Sequence, residues 1–152
     1  METMTAQDDS LKLDSMLCFA VYAAGHAFTR FYKPRLDALG LTYPQYLVFL
    51  VLWEADGLTV KSLGDRLFLD SGTITPLIKR LEARGLVRRQ RDEEDERQVL
   101  VFLTPDGRGL REKALAVPLA VKTALAGERE AVDALRLGLH QLRESLDGQG
   151  QR

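Results

Sequence analysis

One cysteine, Cys18, stands among the apolar residues Leu17, Phe19, Ala20 and Val21. In such company a thiol ordinarily acts as a small hydrophobe in a core. The chain has four tyrosines, Tyr22, Tyr32, Tyr43 and Tyr46, and a phenol near the thiol would give it a second use. Tyr22 follows Cys18 by one helical turn on the same face. A phenol O–H beside a thiol favours the thiolate, and a thiolate attacks the O–O bond of a peroxide to become a sulfenic acid. Tyr32 comes fourteen positions later. On one straight helix that returns it to nearly the same face but places it roughly 21 Å away. An antiparallel or crossed partner helix is needed to bring it to Cys18. With no second cysteine, the oxidised sulfur must meet an outside thiol or oxidise further.

Metal chemistry has few ligands to draw on. His26 and His140 are the only histidines, and His26 lies about 12 Å along a helix from Cys18. No metal site and no cofactor are expected.

A second set of residues is suited to a polyanion. Between Ser71 and Arg91 stand Lys79, Arg80, Arg84, Arg88, Arg89 and Arg91 against a single acid, Glu82. Net +5 in that segment leaves about -6 elsewhere, although the whole chain is only -1. The near-neutral average therefore conceals a local basic surface. Ser71, Thr73 and Thr75 sit at the start of a helical pattern, where free backbone N–H groups and the helix dipole favour phosphate. Ile74, Leu77, Ile78 and Leu81 form its inner face, with Thr73, Thr75, Pro76, Lys79 and Arg80 outside. Arg97 follows an acidic run, Asp92 to Glu96. Asp95 is placed to pair with Arg97 and hold its guanidinium, and such an Arg suits an A·T-rich minor groove.

The elements that must position these residues follow from periodicity and caps. Leu11 to Leu39 reads as a long helix, with Pro34 expected to kink it or split off its last turns. Thr42 caps a helix from Pro44 to Glu54. Thr59 caps Val60 to Leu67, and Asp70 or Ser71 caps a helix over Thr73 to Ala83 that stops at Gly85. The last pair reads as a helix-turn-helix. Leu86 to Arg89 and the alternating Val99, Val101 and Leu103 make a two-stranded wing around the charged loop. One helix then runs from Thr104 to about Leu125 with Pro118 inside it, and another from Glu128 to Leu146. Long outer helices on so small a chain leave apolar stripes uncovered, which points to a second copy. Two copies place their reading helices about 34–36 Å apart and call for a pseudo-palindromic double-stranded DNA site.

At 152 residues and 17.0 kDa, the chain holds one ordinary domain. One thiol leaves no disulfide framework and fits a reducing compartment. Neither a signal peptide nor a membrane span is read, so a cytoplasmic protein with no membrane partner is expected.

Four stretches carry a resemblance over about residues 13–142: LCFAVY at 17–22, LGLTYPQYLV at 39–48, LDSGTITPLIKRLE at 69–82 and DERQVLVFLT at 95–104. The last two resemble the winged helix of MarR-family regulators. The first two resemble the organic-hydroperoxide-sensing repressors within that family. The resemblance implies a mainly α fold with a small β wing, a winged helix-turn-helix inside a helical dimerisation domain. It implies one domain over 11–147, dimerisation helices at 11–42 and 105–147, a winged helix-turn-helix at 43–104, and flexible tails at 1–10 and 148–152.

For function, the resemblance implies a homodimeric repressor rather than an enzyme, released from its operator when Cys18 is oxidised by an organic hydroperoxide. Tyr32 and Tyr43 then match tyrosines reaching the cysteine from the other subunit, and Tyr22 a further pocket tyrosine. Ser71, Thr73, Thr75, Pro76, Lys79, Arg80, Arg84 and Arg91 fall to DNA, with Asp95 and Arg97 as the wing pair. Residues 105–152 hold no resolving cysteine, so the one-cysteine type is implied, completed by a low-molecular-weight thiol or by over-oxidation. A Cys18–Cys18 disulfide between subunits runs against the family pattern. Two other readings stand beside this one: a MarR-type repressor released by a small aromatic ligand, and a thiol peroxidase.

Overall fold

The computed structural model describes residues 9–150. Of the expected tails, residues 1–8 and 151–152 lie outside the described residues. The chain divides into two units, one ending at Ala114 and one beginning at Leu115.

In the first unit, two 3-10 turns, Asp9–Leu11 and Leu13–Ser15, precede α1 (Leu17–Asp37). The helix starts six residues later than its apolar spacing predicts, because Met16 is extended and supplies no side-chain cap. Pro34 does not split it. The ring removes one N–H only a turn from the end. Beyond it Gly40, at φ 67°, turns the chain while Leu41 N–H bonds back to the Leu36 carbonyl at 3.0 Å.

Helix α2 (Tyr43–Glu54) opens on a capping box. Gln45 N–H donates to the Thr42 hydroxyl and Thr42 N–H to the Gln45 side chain. Tyr46, Val48, Phe49, Val51 and Leu52 are all buried, so α2 is covered on several sides. It is the spine on which α3 (Val60–Leu67) and α4 (Ser71–Ala83) pack through Leu63, Ile74, Ile78 and Leu81. Burying each such side chain contributes about 1.5–3 kcal/mol.

The turn between α3 and α4 runs through Phe68 in the left-handed region, φ 56°. Leu69 N–H closes it onto the Gly64 carbonyl at 2.8 Å. A Cβ at Gly64 would come 2.7 Å from the Leu69 carbonyl oxygen, so glycine is required for this turn.

Three antiparallel strands lie in the order β1 (Leu58–Thr59), β3 (Val99–Leu103), β2 (Val87–Arg91). Val87 faces Leu103 and Arg91 faces Val99, which sets the hairpin register. The two-residue β1 is not legible as a strand, since Thr59 is also the cap of α3. Helix α5 (Pro105–Ala114) docks closely at Gly107, whose carbonyl accepts from Trp53 Nε1 at 3.2 Å.

The second unit holds α6 (Ala116–Ala124) and α7 (Arg129–Gln149). The single helix expected from Thr104 to Leu125 is therefore interrupted at Leu115. Pro118 has no N–H for the Ala114 carbonyl, so the interruption falls one turn before it. Helix α7 runs past Leu146 to Gln149 and has no buried residue. None of the helices is long and apolar enough to cross a membrane among the described residues.

Candidate nucleic-acid interface and thiol site

Helix α4 presents its two faces as its sequence requires. Ile74, Leu77, Ile78 and Leu81 are buried, while Ser71, Thr73, Pro76, Lys79 and Arg80 are exposed and Thr75 is half-buried. Asp70 caps the helix, accepting Thr73 N–H at 2.9 Å. Lys79 and Arg80 have no intramolecular ion-pair partner among the described residues, so their charge is directed outward.

The other cations of the segment are differently engaged. Arg84 donates to the Gly40 carbonyl, tying the end of α4 to the end of α1. Arg88 stacks over Phe102 at 4.4 Å and bonds Gln90. Glu82 accepts both Arg89 N–H at 2.6 Å and Arg89 Nε at 3.0 Å, which staples α4 to β2. Those bonds hold the Glu82 carboxyl below its ordinary pKa.

The wing loop is built from its own acids. Asp95 Oδ1 accepts Arg97 N–H and Arg97 Nε, each at 3.1 Å. Arg97 is 92% exposed in that pose, so the guanidinium is oriented yet open to a ligand. Asp92 accepts Glu94 N–H at 2.9 Å, and Arg91 donates to the Glu96 carbonyl at 2.7 Å. Asp92 thus shapes the loop as well, a role its place in an acidic run does not reveal.

Cys18 is the second residue of α1 and is exposed. It is not a filler of this chain's own core. Tyr22, one turn on, lies with its ring 6.4 Å from Phe19 and 4.3 Å from His26. Near the other end of α1, Tyr32 meets Tyr43 at 5.1 Å and Tyr46 at 6.1 Å between ring centroids. The chain reversal at Gly40 brings these three rings together. Burial raises the pKa of each phenol, with mutual repulsion of phenolates adding to the effect on Tyr32 and Tyr46, and Tyr46 is pushed up to about 12. The three remain protonated at neutral pH and can donate. Tyr46 is absent from the residues expected at the site. Its spacing of three from Tyr43 on a capped helix is the signal that reveals it. One copy of the chain brings Tyr32 and Tyr43 together but leaves Cys18 some two heptads away.

Among the described residues no three or more His, Cys, Asp or Glu converge as metal ligands would.

The chain matches the family model described as transcriptional regulator SarA/Rot over residues 30–114. It is 56% identical over 144 residues to the HTH-type transcriptional regulator TtmR of Methylorubrum extorquens, covering 95% of this chain and 74% of TtmR. It is 49% identical over 138 residues to the organic hydroperoxide resistance transcriptional regulator of Bacillus subtilis, covering 91% and 94%. Among solved structures, reduced AbfR bound to DNA matches with a TM-score of 0.78 at 37% identity, over 93% of this chain and 96% of that one. AbfR, a protein of Staphylococcus epidermidis, has also been solved overoxidized on DNA and in a disulfide form.

Proposed function

The chain belongs to the MarR family of winged-helix regulators, in its organic-hydroperoxide-resistance branch, and on that premise we propose that it is a homodimeric repressor that leaves its operator when Cys18 is oxidised. The observation that carries this reading is the position of the thiol. Cys18 is exposed on a stretch of α1 whose Leu17, Val21, Tyr22 and Phe28 are likewise uncovered in one copy.

Two α1 helices crossing antiparallel supply the cover. Their two-fold axis must pass midway between Cys18 and Tyr32 for these residues to meet across it. The midpoint is Gly25, where nothing lies within 4 Å of a Cβ position. Cys18, Gly25 and Tyr32 recur at heptad spacing on one face. A glycine at the crossing lets the helices approach closely, and the phenols of Tyr32 and Tyr43 then reach the partner's thiol.

The chemistry proceeds from there. Tyrosine O–H groups donate to the Cys18 thiolate. The thiolate sulfur attacks the distal oxygen of ROOH, the O–O bond breaks, and the leaving alkoxide takes a proton to become ROH. The product is Cys18–SOH. A low-molecular-weight thiol R′SH then displaces it, giving Cys18–S–S–R′ and water. In a mixed disulfide the Cys18 sulfur is uncharged and carries a bulky substituent, whereas a sulfinate or sulfonate keeps a negative charge among the phenols. Overoxidized AbfR is seen on DNA, which supports the mixed disulfide as the releasing form.

Ser71, Thr73, Thr75, Pro76, Lys79, Arg80 and Arg84 of the reading helix and its end, with Arg91, Asp95 and Arg97 of the wing, serve the DNA. Loss of spacing between two reading heads separates them from successive major grooves. A 100-fold weakening needs about 2.8 kcal/mol, within reach of losing a charge-assisted hydrogen bond and repacking its surroundings. Such a switch works in the reducing cytoplasm, where an outside thiol resets it.

Substitution of Cys18 tests the reading. Wild-type protein leaves its operator on treatment with an organic hydroperoxide and a small thiol, and Cys18→Ser protein stays bound. Release of the serine variant by the same treatment overturns the redox mechanism. Release of both by an aromatic acid alone assigns the switch to ligand binding.

A further inference from the structure

A cleft of about 260 Å³ opens between α4 and the wing. It is lined by Thr59, Lys61, Thr75, Arg89, Arg97 and Gln98 over an apolar floor that includes Val60, Ile78 and Val99. Three of its lining residues are cations and none is an acid. The neighbouring hollow, along α3 and the start of α4, is larger at about 400 Å³ but carries both Asp65 and Asp70 against Lys61 alone. Lys61, Arg89 and Arg97 each pair with a carboxylate, Asp65, Glu82 and Asp95, that lies outside the smaller cleft, whereas the larger hollow has two acids in its own wall, so the smaller is the better suited to an anion.

We propose that this cleft seats a DNA backbone phosphate, held by Lys61, Arg89 and Gln98. The inference rests on the DNA-binding reading above. If α4 lies in a major groove and Arg97 enters the adjacent minor groove, the phosphodiester ridge dividing those grooves runs between helix and wing. The cleft occupies that place.

Each polar group is suited to the task. Glu82 uses the backbone N–H and Nε of Arg89, which fixes the residue and leaves its terminal guanidinium nitrogens to donate. Lys61 Nζ bonds Asp65 at 2.9 Å, but both side chains are mostly exposed, and such a surface pair gives way readily to a phosphate. Gln98 adds a neutral amide donor, while the Thr59 hydroxyl at the rim stays engaged with Ser62 as the cap of α3. Phosphate contacts of this kind fix register on the duplex without reading bases.

Salt dependence provides the test. Wild-type and Lys61→Gln proteins are titrated with a pool of random duplexes, and with the duplex that wild type selects from that pool, between about 50 and about 200 mM salt. The variant is expected to bind both DNAs more weakly by one common factor. Its plot of log affinity against log salt is expected to be shallower by about 0.9 for each reading head, so that over this range it loses roughly threefold less affinity per head than wild type. Asp65→Asn, which removes the competing carboxylate, tightens binding to both DNAs.

An unchanged slope in Lys61→Gln protein, or a loss confined to the selected duplex, overturns the phosphate seat. So does saturation of the cleft by inorganic phosphate alone with no change in duplex binding, which assigns it to a free anion. Wild-type protein that binds no duplex overturns the DNA-binding reading itself. Equal melting temperatures for the variants and wild type separate these effects from unfolding.

Discussion

Cys18 and Tyr32 occupy the same stripe of α1 two heptads apart, with Gly25 midway between them. Roughly 21 Å of helix separates them along the axis, so no side-chain motion joins them within one copy. The two-fold crossing proposed at Gly25 would join them twice, since each helix carries one thiol and one phenol at matching heights.

Gly25→Leu tests the crossing directly. Leucine is the better helix former by about 1 kcal/mol, so helix α1 itself gains. The variant is expected to dissociate at concentrations where wild type remains dimeric, and its Cys18 to react more slowly with peroxide. Analytical ultracentrifugation with a peroxide-consumption assay measures both. An unaltered dimer places the axis elsewhere.

In the proposed dimer, Tyr32 and Tyr43 are assigned as donors to the partner's thiolate. Removing one charge-assisted hydrogen bond costs about 1.5–3 kcal/mol. Tyr32→Phe and Tyr43→Phe are therefore expected to slow oxidation of Cys18 by an organic hydroperoxide by 10-fold or more at neutral pH, with operator binding by the reduced protein little changed. Stopped-flow oxidation of the two variants gives the answer.

Alkaline pH probes the same cluster. The folded chain holds the Tyr46 phenol at about 12, above its ordinary 10. Burial thus favours the protonated form, and the associated stability is fully present below pH 10 and lost as the pH rises through about 12. Denaturant midpoints across that interval should fall more steeply for wild type than for Tyr46→Phe. Equal slopes would remove Tyr46 from the explanation.

The wing makes a graded prediction. Arg97→Ala removes the exposed guanidinium and should weaken operator binding by about 10-fold, or ~1.4 kcal/mol. Asp95→Asn keeps the arginine but loosens its pose. The pair is largely exposed on the Arg97 side, and its contribution falls within ~0.2–1 kcal/mol, so a loss of no more than about fivefold is expected. Fluorescence anisotropy with a labelled operator ranks them. An Asp95→Asn loss equal to that of Arg97→Ala would show that the carboxylate does more than orient its neighbour.

Local chemistry made much of this structure legible. Thr42 with Gln45, Thr59 and Asp70 announce three helix starts, because a cap is a bond between residues two or three apart. The alternation from Val99 to Leu103 shows the return strand for the same reason. Where balance between distant effects decides, the pattern is silent. Pro34 reads as a break but falls where α1 has one turn left to lose. Pro118 reads as internal but ends the preceding helix at Ala114. The pairing of Arg89 with Glu82 needs the turn at Gly85 to fold β2 back along α4. At the site, Cys18 and Tyr22 are neighbours by spacing, and the wing pair is explicit in Asp95 and Arg97. Tyr43 and Tyr46 are neighbours by spacing on α2, but Tyr32 joins them only through the chain reversal at Gly40, and the partner of Cys18 lies on no segment near it.

If one sulfur governs DNA binding, its chemical state and operator release must change together. Operator-bound protein is titrated with an organic hydroperoxide in the presence of a small thiol, following anisotropy and intact mass together. Release is expected in proportion to the mixed-disulfide mass at Cys18, complete near one equivalent of peroxide per subunit, with no release of Cys18→Ser protein. Release without a mass change at Cys18, or equal release of the serine variant, would contradict control by that sulfur.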